Sequence, residues 1–290
     1  MTLALYVIRH GERIDHVEPS FLYTSTTPYD PPLTPRGKRQ AKQTGTFINT
    51  LQQENVSTKR NVEYNITTSP FARTTETAIN IAKGIFESKP ESKIKIRIDS
   101  SLAEWHNSAY YAQAVPNYII DKRFEELREK IGKENDEYPF EFDESYTPVS
   151  SILPKYPEGI HEVVKRCQNA LLEISSPYIQ KIKQDRKLNT DVVLILVTHG
   201  FCFNIIQEAC SKVNSWRDAG YCAVSRAKWI PKEDDEVPDI QITVSNDEAD
   251  CEKSEIQRKN EEAINVLNAA NPNGRWNLDV IVHTDHLKGI

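Results

Sequence analysis

Leu3-Ala4-Leu5-Tyr6-Val7-Ile8, followed directly by Arg9-His10-Gly11-Glu12-Arg13, is the stretch that decides the fold. The apolar, β-branched run predicts a strand that is buried on both faces. Guanidinium and imidazole groups at the end of a buried strand are costly unless an anion satisfies them. Ligands of open α/β sheets bind beyond the carboxyl ends of the strands. The stretch therefore predicts an anion site at this strand end, and a basic surface turn is the alternative interpretation.

Strand and helix patterns then alternate along the chain. Thr34-Pro35 and Ser69-Pro70 each place a capping residue before a proline, which suits the first position of a helix. Strands are predicted at residues 62–68 and 94–98 from their apolar runs and alternation. The order of strand, helix, strand, helix and strand predicts a three-layer α/β fold, with a mostly parallel sheet and helices on both faces.

A second apolar run, Val192-Val193-Leu194-Ile195-Leu196-Val197, ends in Thr198-His199-Gly200. It is the most apolar run of the chain and predicts a central strand, again with a polar motif at its carboxyl end. The remaining predicted elements are helices at residues 116–131, 160–187 (kinked or restarted at Pro177) and 201–212, and strands at 221–230 and 276–283.

Three segments interrupt this pattern. Residues 14–32 lack periodicity and predict a long loop beside His10. Residues 100–157 are irregular and predict an inserted cap over the site that would set substrate choice. Residues 232–271 are acidic and poor in aromatic residues, which predicts a mobile insertion. We expect one domain over residues 1–290 that carries these insertions.

Composition narrows the class of protein. The net charge of −6 argues against a general nucleic-acid binder. No apolar run approaches the ~20 residues of a membrane-spanning helix, and the first residues show no signal-peptide pattern. The five cysteines are odd in number and form no C-x-x-C pair, so they favour neither a zinc site nor a disulfide framework. We expect a protein of the cytoplasm or nucleus without a membrane partner.

The candidate chemical groups follow predicted strands or lie in the loops after them, so a parallel sheet would bring them together. A phosphoryl group is transferred mainly through positioning and electrostatic stabilisation, which arginines supply. A neutral imidazole can act as a nucleophile, and a carboxylic acid can protonate the leaving oxygen. A structural role is the alternative for each histidine, and a salt bridge is the alternative for the carboxylate. The candidates are Arg9, His10, Arg13, Arg73, Glu104 and His199.

Several motifs in this order resemble the histidine phosphatase superfamily, which includes phosphoglycerate mutases and many phosphatases. The resemblance covers roughly residues 3–230 and the last strand. The motifs are Arg9-His10-Gly11 with Arg13, Leu33-Thr34-x-x-Gly37-x-x-Gln40-Ala41, Ser69-Pro70-x-x-Arg73-x-x-x-Thr77-Ala78, Leu102-x-Glu104, and Thr198-His199-Gly200.

This resemblance implies a phosphohistidine mechanism that needs no metal or cofactor. The implied roles are His10 as nucleophile, Glu104 as proton donor, and Arg9, Arg13, Arg73 and His199 as the phosphate pocket. Members with mutase activity usually carry serine where Arg13 stands, which favours a phosphatase. The Arg-His-Gly-Glu-Arg-x-Asp form, with Glu104-Trp105, is similar to the phosphatase domains of the suppressor of T-cell receptor signalling proteins and of a TFIIIC subunit.

The predicted function is therefore that of a phosphomonoesterase acting on phosphotyrosine or a small phosphorylated metabolite. Two alternatives stay open: an interaction subunit that keeps the fold with little or no catalysis, and a phosphoglycerate mutase-type phosphotransferase. The predicted partner is a phosphorylated small molecule or phosphoprotein substrate, with no direct contact to nucleic acid, and a homodimer is also considered.

Overall fold

A seven-stranded sheet forms the centre of the described structure. The computed structural model describes residues 2–53, 61–131, 140–184, 190–211, 215–232 and 274–290. The strand order is β4-β3-β2-β5-β1-β6-β7. The strands are β1 (Leu3–Arg9), β2 (Asn61–Thr68), β3 (Lys93–Ile98), β4 (Glu141–Phe142), β5 (Thr190–Thr198), β6 (Val224–Pro231) and β7 (Gly274–His283).

The strands from β4 to β1 run parallel, β6 pairs with β1 in antiparallel orientation, and β7 pairs with β6 in antiparallel orientation. In the pairing of β1 with β5, Arg9 lies opposite Thr198. The backbone N–H of His10 continues the ladder by donating to the carbonyl oxygen of Thr198 over 3.0 Å. The two apolar runs therefore end at the same level, and the residues after them begin side by side.

Helices cover both faces of the sheet, which confirms the predicted three-layer α/β architecture. Alternate residues of β1 point to opposite faces, as strand geometry requires. Tyr6 and Ile8 pack with α3 and α4, whereas Leu5 and Val7 pack with α6 and α7. The helices are α1 (Ile14–Val17), α2 (Phe21–Thr24), α3 (Pro35–Gln53), α4 (Ala72–Ser88), α5 (Tyr118–Ile131), α6 (Ile160–Gln184) and α7 (Gly200–Ala209).

The start of α4 differs from the sequence prediction. The helix begins at Ala72 and not at Pro70. Phe71 is its N-cap residue and makes no side-chain capping bond, but the carboxylate of Asp30 accepts the N–H of Ala72 over 2.7 Å. A distant residue thus supplies the cap, which a local Ser-Pro pattern cannot reveal.

Other boundaries also shift. The segment at residues 14–32, predicted as a loop, contains the short helices α1 and α2, whose length leaves no readable periodicity. Helix α6 runs through Pro177 without a break. Helix α7 ends at Ala209, and the two-residue strand β4 had no sequence signal.

The described parts of the predicted cap, residues 100–131 and 140–157, contain a 3₁₀ turn at Ser100–Leu102 as well as α5 and β4. The assignment of this region as a cap within a single domain stays a prediction. The acidic insertion at residues 232–271 lies, after its first residue, outside the described residues. None of the described helices combines the length and apolar character needed to cross a membrane.

Candidate active site

His10 and His199 lie next to each other at the carboxyl ends of β1 and β5. Their ring centroids are 5.5 Å apart in an edge-on arrangement. His10 is 1% exposed and His199 is fully buried. The parallel pairing of two strands that end in polar motifs therefore brings the two predicted histidines together.

His10 presents a free ring nitrogen. Its Nδ1 lies 2.8 Å from the carbonyl oxygen of Gly11. A carbonyl oxygen only accepts, so Nδ1 carries the hydrogen and Nε2 keeps its lone pair. Burial, together with the positive charges of Arg73 and Arg9, holds the pKa of His10 well below its ordinary value. The imidazole is therefore neutral near pH 7 and has a nucleophilic nitrogen.

His199 has the opposite tautomer. Arg73 Nη2 lies 3.1 Å from His199 Nδ1, and because a guanidinium only donates, Nδ1 is the acceptor. Nε2 then carries the hydrogen and donates to Ser69 Oγ over 2.9 Å. Burial and the charge of Arg73 hold the pKa of His199 well below its ordinary value. Ser69, predicted only as a helix cap, is thus a fixed partner of the second histidine.

Arg73 is a buried cation in the first turn of α4. It is 1% exposed, and its guanidinium carbon lies 4.5 Å from the ring centre of Phe71. Arg73 Nη2 also reaches the hydroxyl of Tyr111 at 3.4 Å, whereas Nε and Nη1 make no hydrogen bond within the described protein. A buried cation with unused donors is suited to an anionic ligand.

Arg9 lies at the same edge of the sheet. Its guanidinium carbon is 4.9 Å from the ring centre of Tyr221, and Nη1 donates to the carbonyl of Ala219. The buried Nε of Arg9 makes no hydrogen bond within the described protein. A Cβ on Gly200 would lie 3.4 Å from this nitrogen, so the glycine after His199 leaves room for the guanidinium.

Arg13 is already paired with a carboxylate. Its Nε donates to Asp15 Oδ1 over 2.8 Å, and its Nη2 contacts Asp15 Oδ2. The structure thus places Arg13 beside the pocket with two of its nitrogens engaged. Asp15, whose role in holding Arg13 was missed, had only the local signal of an acidic residue two positions after the arginine.

Glu104 reaches the site from the loop after β3. Its Oε2 lies 3.6 Å from His199 Nδ1, and its Oε1 accepts the backbone N–H of Trp105 over 3.0 Å. Burial raises the pKa of this carboxyl group, against the opposing influence of Arg73. A carboxyl group with a raised pKa holds a proton at higher pH, as a general acid must.

Two glycines let the end of β1 meet the start of α3. A Cβ on Gly11 would lie 2.6 Å from the carbonyl oxygen of Gly37, and a Cβ on Gly37 would lie 2.4 Å from that of Glu12. The carboxylate of Glu12 accepts from Thr34 over 2.8 Å and from Arg36 over 2.7 Å. The Leu-Thr-x-x-Gly motif therefore fixes the backbone that carries His10.

Tyrosines surround the histidines and arginines. The ring of Tyr221 lies 6.0 Å from that of His10, and its hydroxyl contacts His16. The hydroxyl of Tyr111 contacts Arg73 from another part of the chain, and the neighbouring Tyr110 is 60% exposed. The sequence held no signal for Tyr221 or His16, which are distant from each other along the chain.

The family model of the histidine phosphatase superfamily (branch 1) matches residues 5–233. The chain belongs to this family. The match contains every candidate residue discussed above. It establishes the superfamily but not the finer resemblance to the T-cell receptor signalling suppressors or the TFIIIC subunit, which stays a prediction. No curated protein sequence matches the chain significantly.

Solved structures of similar proteins include the ecdysone phosphate phosphatase of Bombix mori in complex with tungstate. It is 17% identical, with 86% of this chain and 97% of that chain covered and a TM-score of 0.48. A mycobacterial glucosyl-3-phosphoglycerate phosphatase is 15% identical, with 98% and 100% covered and a TM-score of 0.48. A phosphoglycerate mutase of Bacillus anthracis is 17% identical, with 78% and 88% covered and a TM-score of 0.43. At this level of similarity their substrates carry no argument for this chain.

The described residues contain no group of three or more histidine, cysteine, aspartate or glutamate side chains arranged to hold a metal ion. The cationic groups of the site are arginines.

Proposed function

We propose that this protein is a phosphomonoesterase that forms a phosphohistidine on His10. The observation that carries the proposal is the neutral His10 with its free Nε2, together with the buried Arg73 and the partly buried Arg9, which both have unused donors. A nucleophile that is not charged can attack while the arginines bind the phosphoryl oxygens. Arg9 and Arg73 are the principal phosphate ligands in this assignment. Arg13, which is paired with Asp15, contributes positive charge beside the site.

In the first step, the lone pair of His10 Nε2 attacks phosphorus, and the bond between phosphorus and the ester oxygen breaks. Glu104 donates its proton to the departing oxygen, which leaves as an alcohol or phenol. Burial raises the pKa of this carboxyl group, which favours the protonated form that this step requires. His199 contributes to this step by accepting a hydrogen bond from Arg73, which holds the guanidinium beside His10.

In the second step, water attacks the phosphohistidine. The Glu104 carboxylate formed in the first step takes a proton from this water, and the N–P bond breaks with the electron pair returning to His10. Inorganic phosphate leaves, and both side chains regain their starting protonation states. The cycle consumes one water molecule and needs no other reactant.

The tyrosines around the site favour an aryl phosphate as substrate. Tyr111 and Tyr221 approach the arginines and His10 from different segments of the chain. Flat apolar rings pack well against a phenolic leaving group. Phosphotyrosine, alone or in a protein, is the substrate that combines this ring with a phosphate. A small phosphorylated metabolite is the second candidate.

Hydrolysis of a panel of phosphate esters by the wild-type protein and by His10→Ala tests the proposed mechanism. The wild-type protein should hydrolyse aryl phosphates, and the variant should lose ~10⁴-fold or more of this activity. Rapid acid-free quenching should trap a phosphorylated wild-type protein but no phosphorylated variant. His161→Ala is the matched control, because His161 is exposed on α6. Wild-type activity in His10→Ala would contradict the mechanism.

The same panel separates the alternatives. Interconversion of phosphoglycerates, faster than ester hydrolysis, would indicate a mutase. Negligible hydrolysis of every ester, together with a stoichiometric complex with another protein, would indicate an interaction subunit. The unused donors of Arg73 and the free Nε2 of His10 favour catalysis over this last function.

A further inference from the structure

Arg166, on α6, uses its whole guanidinium to hold the loop that carries Glu104. Its Nη1 donates to the carbonyl oxygens of Ser101 and Ala103, each over 2.8 Å. Nη2 reaches the carbonyl of Glu104 at 3.4 Å. Nε and Nη2 donate to the two carboxylate oxygens of Glu158 over 2.7 and 2.9 Å. These contacts employ all five N–H donors of a guanidinium, so the side chain is saturated.

Glu158 binds the same loop on the other side of Glu104. Its carbonyl oxygen accepts from Trp105 Nε1 over 2.9 Å. Its backbone N–H donates to the carbonyl of His106 over 2.8 Å, and its carboxylate lies 3.4 Å from the N–H of His106. The carboxylate is 3% exposed, and Arg166 neutralises it. Arg166 and Glu158 together, the Arg166–Glu158 clasp, therefore hold the backbone on both sides of Glu104.

The carboxyl group of Glu104 has few contacts of its own that would fix its direction. Oε1 accepts from the next backbone N–H, and Oε2 lies 3.6 Å from His199. The 3₁₀ turn that precedes it ends at Leu102, and the next described helix begins at Tyr118. The direction of the carboxyl group is thus set by the backbone of residues 103–105, which the clasp holds.

We propose that Arg166 and Glu158 are positioning residues that aim Glu104 at the leaving oxygen of the substrate. This role rests on the proposed function of Glu104 as the proton donor. Arginine is required at position 166, because a lysine ammonium cannot reach three carbonyls and two carboxylate oxygens from one plane. The clasp carries no net charge, so it holds the loop without placing an unbalanced cation beside the acid.

The test compares two substrates with different leaving groups. p-Nitrophenol leaves readily without a proton, whereas phenol needs one. The variant Arg166→Lys should lose ~100-fold in kcat on phenyl phosphate but less than ~5-fold on p-nitrophenyl phosphate. Glu158→Gln, which keeps an accepting oxygen, should shift the same ratio in the same direction by ~10-fold. The ratio of the two rates does not depend on how much of a variant is folded.

Arg226→Lys is the matched control. Arg226 on β6 also forms a buried bidentate pair, with Asp279 at 2.8 and 2.9 Å, but it does not contact the loop of Glu104. This variant should lower stability and leave the ratio of the two rates unchanged. A loss in Arg166→Lys that is equal for both substrates would overturn the positioning role.

Glu104→Gln and the double variant distinguish the positioning role from the proposed function. Glu104→Gln alone should show the leaving-group effect, and adding Arg166→Lys should shift the ratio no further, because both changes remove the same proton transfer. If Glu104→Gln slows phenyl phosphate selectively but Arg166→Lys slows both substrates equally, only the positioning role of the clasp is refuted. If Glu104→Gln loses activity equally on the two substrates, or if the wild type hydrolyses neither, the acid role of Glu104 is refuted and the clasp with it.

Discussion

The surroundings of Arg73 and of Arg166 differ in how completely the protein satisfies a buried guanidinium. Arg166 contacts the loop that carries Glu104, and Arg73 contacts His199, which lies next to Glu104. Arg166 binds three carbonyls and a carboxylate, whereas Arg73 leaves Nε and Nη1 without a hydrogen bond within the described protein. A satisfied buried cation stabilises its surroundings, and an unsatisfied one costs free energy until an anion binds. We therefore propose that the surroundings of Arg166 are structural and that those of Arg73 prepare a binding site.

Replacing Arg73 should have the largest effect on activity. Arg73→Met should lower kcat/KM for p-nitrophenyl phosphate by ~10³-fold, since it removes donors to the phosphoryl oxygens. The free energy of unfolding should change by less than about 1 kcal/mol, because the lost contacts to His199 and Tyr111 are offset by removal of an incompletely paired buried charge. Steady-state kinetics and urea unfolding measure the two quantities. A strongly destabilised variant would show that Arg73 is structural.

Replacing Arg166 should have the largest effect on stability. Arg166→Met removes the charged donor from the buried Glu158 carboxylate and from three loop carbonyls, so the free energy of unfolding should fall by about 3 kcal/mol. Urea unfolding followed by tryptophan fluorescence measures this change, with Arg73→Met as the comparison. Equal stabilities of the two variants would remove the distinction between the two arginines.

Stabilisation of the protein by inorganic phosphate tests the binding role of Arg73. At about 100 times its dissociation constant, phosphate should stabilise the wild-type protein by about 2.7 kcal/mol, since it binds only the folded state. Arg73→Met should lose most of this stabilisation, and Arg226→Lys, a control remote from the pocket, should keep it. Thermal unfolding at increasing phosphate concentration tests the difference. A full response in Arg73→Met would place the phosphate elsewhere.

A further prediction concerns the pH dependence of stability. Burial holds the pKa of His10 and of His199 below the ordinary value of 6.5. As the pH falls below about 6.5, the unfolded chain therefore binds protons before the folded protein does. Stability is complete above this pH and should fall by up to about 1.4 kcal/mol per pH unit for each histidine, until the folded pKa is reached. His199→Gln should flatten the profile, whereas His161→Ala should leave it as steep as in the wild type.

The strands that place the site could be predicted because their signals are local. The apolar run before Arg9 and the run before Thr198 each read as a buried strand, and the parallel sheet brings their ends together. Glu104 could also be singled out, from a short motif after β3. The strand predictions needed only periodicity and the general position of ligand sites in parallel sheets, whereas the prediction of Glu104 needed the motif.

Other features could not be predicted, because each depends on residues that are distant in the chain. Asp30 caps α4 from 42 positions away, so the Ser-Pro pattern misplaced the helix start. Arg166 reaches Ser101 across 65 positions, and no motif connects them. The segment at 14–32 was predicted as a loop because its helices of four residues are too short to show a pattern.

By itself, the sequence determined the layers of the fold, the polar motifs at the ends of the parallel strands, and the predicted side chains that meet at that edge of the sheet. The layers follow from hydrophobic periodicity and the side chains follow from the motifs after the strands, and both signals are local in the sequence. Only the tertiary structure decided which nitrogen of His10 is free, which arginine is satisfied, and which carboxyl group has its pKa raised by burial. Tautomer, pairing and pKa depend on the neighbours in space, and the chain sets those only when it packs.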